Sequence, residues 1–105
     1  MKRPSLPRSK RDVSARRDAA ASIAIAALTF IAQEPERLGR FLALSGIGPE
    51  SLRAAAREPG FLLGVLDHLG SDEPLLLAFS EDRGIDPSAI GDARTLLAGE
   101  IPQEP

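Results

Sequence analysis

Three observations predict an all-α fold, a compact bundle of five to six short helices joined by Gly/Pro turns. First, no segment alternates polar and apolar residues with a period of two, so no strand is expected. Second, apolar residues recur with helical spacing, as in Phe61, Leu62, Val65, Leu66 and Leu69. Third, one turn phrase occurs twice. Gly46-Ile47-Gly48-Pro49-Glu50-Ser51-Leu52 returns as Gly84-Ile85-Asp86-Pro87-Ser88-Ala89-Ile90, at an offset of 38 residues. Gly46 and Gly84 supply the left-handed residue that follows a helix. Pro49 and Pro87 suit the first helical position, where a missing N–H costs nothing.

Each element follows from its own residues. The first helix is expected at about residues 14–33, capped by Ser14 or Asp12. It is apolar nearly all round between Ala19 and Ala32, which predicts a central helix surrounded by others. Glu34-Pro35 restarts the chain as a second helix, about 35–45, with Leu38, Phe41, Leu42 and Ser45 on one face. Pro49 opens a third, about 49–57, with a small apolar face of Leu52, Ala55 and Ala56. The fourth, about 60–69, buries the Phe61 stripe and is stopped by Gly70. Ser71 or Asp72 caps the fifth, about 73–82, and Gly84 ends it. Asp86 caps the sixth, about 87–98, with Ile90, Ala93 and Leu97 inward. The domain thus spans 14–98, between a disordered arm at 1–13 and a flexible tail at 99–105. Two copies of a turn are too few for a solenoid, so the repeat reads as a shared local solution.

Composition limits the chemistry. With 105 residues the chain suits one domain with one core. Four Phe are its only aromatic residues, so the core must be aliphatic and alanine-rich. Cysteine is absent, which excludes disulfides, thiol catalysis and thiolate metal sites. The net charge of −2 hides an asymmetry: residues 1–17 carry +6 and residues 18–105 carry −8. The basic arm is either a solubilising tail or a contact for nucleic acid, anionic lipid or an acidic partner. A basic run before Ala19–Ala32 has the general look of a secretory signal. Asp18 at its start, bulky Phe30 near its end and its short length favour a core helix instead.

Few residues are candidates for a site. Leu44-Ser45-Gly46-Ile47-Gly48-Pro49 resembles the helix-hairpin-helix turn of many DNA-repair proteins, which aims backbone N–H groups at a phosphate. Leu52 departs from that pattern, Glu50 brings negative charge to the phosphate position, and Asp86 replaces a Gly in the second copy. His68 is the only histidine; its neighbour Asp67 faces another way, and Asp72 and Glu73 read as helix-start residues. Gly39 and Gly64 lie inside expected helices, where close helix–helix approach would account for them. There is no Gly-rich phosphate loop with Lys, no nucleophile elbow and no metal-binding helix motif. No catalytic residue, metal ligand or cofactor is therefore expected.

The order of segments resembles one known family. Leu38-Gly39-Arg40-Phe41-Leu42-Ala43-Leu44-Ser45-Gly46, Leu52-Arg53-Ala54-Ala55, Pro59-Gly60-Phe61-Leu62, Val65-Leu66-Asp67, Asp72-Glu73-Pro74-Leu75-Leu76 and Phe79 are similar to a family of small alphaproteobacterial proteins known only as a domain of unknown function. The resemblance runs from Ala19 to about Gly99 and implies a small, helical, intracellular protein. It supplies no active-site residues, and the basic arm lies outside it. The expected function is a non-catalytic interaction or regulatory protein of the bacterial cytoplasm that binds a protein partner and does not enter a membrane. The alternative is a nucleic-acid-binding protein. Its contacts would be Arg3, Arg8, Lys10, Arg11, Arg16 and Arg17 of the arm, with Gly46 and Gly48 of the turn.

Overall fold

The computed structural model describes residues 10–58 and 60–99, with side chains from Ser14 onward. Six α-helices run in order: α1 Lys10–Ala32, α2 Pro35–Ser45, α3 Leu52–Ala55, α4 Phe61–Gly70, α5 Glu73–Arg83 and α6 Pro87–Gly99. A 3-10 turn at Pro49–Ser51 precedes α3. Among the described residues there is no strand. The all-α bundle is what the sequence predicts.

α1 starts at Lys10, four residues before the expected position and inside the segment read as a disordered arm. No proline interrupts residues 10–32, and Lys, Arg and Ala are strong helix formers, so the helix extends past its packed portion. Arg3 and Arg8 lie outside the described residues. At the other end Gly99 is helical, and the rest of the expected tail lies outside the described residues.

α1 packs against α6, α4 and α2. Ala20, Ala24, Ala27, Phe30 and Ile31 form its buried stripe. Small alanines at this spacing let neighbouring helices come close. Burial is not all round, contrary to the sequence reading: Ser22, Ile25 and Thr29 form an exposed stripe. Ser22 and Thr29 suit solvent, and the Thr29 hydroxyl donates to the Ile25 carbonyl at 3.0 Å. Ile25 does not suit it and is 53% exposed.

The repeated phrase folds the same way twice. Gly46 and Gly84 have φ of 76° and 64°, the positive φ values of the described chain. The N–H groups of Gly46 and Ile47 both donate to the Leu42 carbonyl, at 2.9 and 3.1 Å. At the second copy Ile85 donates to the Ser80 carbonyl at 3.1 Å, as does Gly84. Ile47 and Ile85 then pack against the core, the apolar contact that accompanies such helix ends.

The expected third helix is broken into the 3-10 turn and the single turn of α3. Leu52 and Ala55 are only half-buried and Ala56 is exposed, too little apolar surface to hold a longer helix. Its end tightens as Arg57 and Glu58 donate to the carbonyls of Ala54 and Ala55. α4 also ends differently from the expectation, because Gly70 is its last residue rather than its stop. Ser71 follows at φ −88° and closes the end, its N–H donating to the Asp67 carbonyl at 3.0 Å and its hydroxyl to that of His68 at 2.8 Å. Asp72 caps α5 by accepting from the Leu75 N–H at 3.2 Å. Asp86 caps α6 by accepting from the Ser88 N–H and hydroxyl, each at 2.8 Å.

All four Phe are in the core. Phe30 meets Phe79 at 5.5 Å between centroids, tying α1 to α5. Phe41 meets Phe61 edge-on at 6.1 Å, tying α2 to α4. Val65, Leu66, Leu69, Ile90, Ala93 and Leu97 fill the space between. On α5, Leu75 and Phe79 are buried and Leu76 is half-buried. Gly39 and Gly64 are not sites of close approach. A Cβ at either would meet nothing within 4 Å.

Candidate functional site

The expected contact residues fall into two places. Lys10, Arg11, Arg16 and Arg17 lie in the first turns of α1, and Arg16 and Arg17 are exposed. Gly46 and Gly48 form the turn after α2. Gly48 has an extended backbone at φ −74°, so it needs no glycine for its conformation. The Glu50 carboxylate folds over it, and a Cβ on Gly48 would lie 2.7 Å from Glu50 Oε2. A phosphate approaching this turn would therefore meet a carboxylate. The element behind it is one 3-10 turn and one α turn, which provides little helix dipole.

A different place is shaped like a site. An open groove of about 690 Å³ lies between α2 on one side and α4 and α5 on the other. Glu34 and Glu36 line it from the start of α2, and Asp72 and Glu73 from the start of α5. Arg37 and Arg40 of α2 line the same groove. A second groove of about 460 Å³ continues past Glu34, Arg37 and Ala78 to Glu81 and Asp82. Arg37 is held in place, its guanidinium 4.5 Å from the centroid of the Phe30 ring and its Nε 3.8 Å from Glu34. The contact with Phe30 is a cation–π interaction on a buried ring. Arg40 has no ion-pair partner among the described residues.

His68 forms part of the groove wall, its ring edge-on to Phe41 at 5.1 Å. Burial lowers its pKa below the ordinary 6.5; the Asp72 carboxylate opposes this and the Arg40 guanidinium adds to it. The neutral ring is favoured in the folded protein. No carboxylate among the described residues hydrogen-bonds that ring. Asp67 turns away, as the sequence predicts, and pairs with Arg94 of α6. No group of three or more His, Asp or Glu residues able to hold a metal ion occurs among the described residues.

Leu44 completes the groove wall and is 70% exposed. Helical periodicity does not single it out, because that pattern marks the buried face of α2 with Phe41 and Leu42. Its signal was nonetheless present. Arg37, Arg40 and Leu44 are spaced i, i+3, i+7, so Leu44 is a large apolar residue on the charged face.

A family model described as a protein of unknown function (DUF3572) matches residues 17–100. The chain belongs to this family. The match contains the whole groove and begins inside α1, so Lys10–Arg16 precede it. No curated protein and no solved structure matches the chain.

Proposed function

We propose that this member of the DUF3572 family is a non-catalytic interaction protein that binds a protein partner in the groove between α2 and α5. The observation that carries the reading is Leu44, 70% exposed beside Arg40 in a concave, charged surface. An apolar residue among unlike charges is how a protein interface combines burial with orientation. The charged and apolar side chains that His68 joins in the groove wall suit the recognition of a partner surface. A cytoplasmic location belongs to the same reading. Its support is that the apolar run of α1 packs into the core, and that no described helix is long and apolar enough to cross a membrane.

The test is site-specific photocrosslinking in the native cell. A crosslinker at Leu44 should trap a discrete partner that one at Ser22, exposed on α1 outside the groove, does not. Leu44→Glu combined with Arg40→Glu should abolish its co-purification. Retention of the same partner by this double variant would overturn the groove as the binding surface. Fractionation of the same cells checks the location.

A further inference from the structure

We infer that the first ten residues of α1 are a helical overhang that contacts the phosphate backbone of double-stranded nucleic acid. This does not rest on the groove and concerns a different surface. Among the residues of α1 whose side chains are described, Ala20 is the first that is buried, and residues 14–19 are all exposed. Ten residues of helix at 1.5 Å each carry Lys10 about 15 Å beyond the packed body. Lys10, Arg11, Arg16 and Arg17 stand on this segment, and Lys2, Arg3 and Arg8 precede it in the sequence.

The overhang carries four cations and two aspartates, Asp12 and Asp18, a net +2, and is set apart from the acidic groove. A domain of −8 should repel a duplex. However, the carboxylates of the groove, Glu34, Glu36, Asp72 and Glu73, lie near the other end of α1. That is about 30 Å of helix from Lys10. Screening reduces such repulsion beyond about 8 Å at physiological salt. The basic segment therefore acts apart from the acidic groove.

Composition decides between polyanions. Residues 10–19 read Lys-Arg-Asp-Val-Ser-Ala-Arg-Arg-Asp-Ala. One Val and two Ala give no apolar face for a membrane surface. The absence of aromatic residues leaves nothing to stack on the bases of a single strand. Cations on an exposed helix match the regular phosphates of a duplex, and contacts of this kind carry no sequence preference. The Gly46–Gly48 turn takes no part, because Glu50 occupies its approach.

Fluorescence anisotropy of the full chain with a labelled 24-base-pair DNA duplex of random sequence tests this. Binding should fall with salt at a log–log slope of about −4, as expected for four to five phosphate contacts. Lys10→Glu with Arg11→Glu should make the slope shallower by about 2 and weaken binding at least tenfold at 100 mM salt. Both positions precede the exposed run of residues 14–19, and the thermal melt should not move. Ala15→Pro keeps every charge but breaks the overhang, and should weaken binding severalfold. No binding by the wild type at 50 mM salt would overturn the inference, as would equal binding by the charge variant or the proline variant. Polyglutamate that displaced the duplex as well as unlabelled duplex does, at matched charge, would point to an acidic protein surface and overturn it too.

Discussion

Gly46 and Gly48 stand two residues apart in one turn and answer to different physics. Gly46 is at φ 76°, where any Cβ crowds the following carbonyl. Gly48 is at φ −74° and merely faces the end of a flexible Glu50 side chain. Gly46→Ala should destabilise the fold by about 1–2 kcal/mol. Gly48→Ala should stay within about 0.5 kcal/mol, because Glu50 can swing away. Urea denaturation of the two variants separates them, and equal losses would contradict this account. His68 supplies a second prediction at this scale. Its folded pKa lies below the ordinary 6.5, so from about pH 6.5 downward the unfolded chain takes up a proton that the folded protein resists. Stability is full above that value and falls as pH drops through the window below it. His68→Gln should flatten the melting temperature between pH 7 and 5.5, whereas an unchanged slope would assign the acid sensitivity to other groups.

At the scale of the elements, the repeated turn phrase was fully legible in the sequence because its chemistry is local. A left-handed glycine, an apolar residue after it and a proline at the next helix start need no distant partner. Asp72 and Asp86 were legible as caps for the same reason. The third helix was not, since its length depends on how much of Leu52 and Ala55 other helices cover. Gly39 and Gly64 show the opposite error. Sequence reasoning assigned them to close packing, yet each faces open space. With no clash to oppose it, Gly39→Ala in α2 should stabilise by about 1 kcal/mol through helix propensity alone. Gly64→Ala in α4 should do the same. Each should raise the melting temperature by roughly 4–8 °C, and a fall would reveal a backbone contact at that position.

At the scale of the whole molecule, two Phe pairs join helices distant in sequence. Phe79 has no exposed surface and packs against Phe30. Phe79→Ala should cost about 3–5 kcal/mol through lost burial and the cavity left behind. That is a large share of the stability of a small domain, roughly 5–15 kcal/mol. Calorimetry should show a melt lowered by tens of degrees or lost entirely; a shift of only a few degrees would mean the core closes over the gap. The groove also belongs to this scale. Its two walls come from residues 34–44 and 68–78, which lie far apart along the chain.

The sequence by itself determined the fold class, the helix-ending turns, the caps and most of the buried stripe, because hydrogen bonding at chain turns and 3.6-residue periodicity act over a few neighbours. It also carried the family membership, which rests on ordered segments. Only the tertiary structure decided which face of α1 stays open, since that depends on how many helices pack around it. Only it showed that the basic segment stands off the body as helix, and that Leu44 sits in a charged groove. Those features arise where elements meet or fail to meet. Their energies come from surfaces brought together by packing, which residue spacing within one segment does not specify.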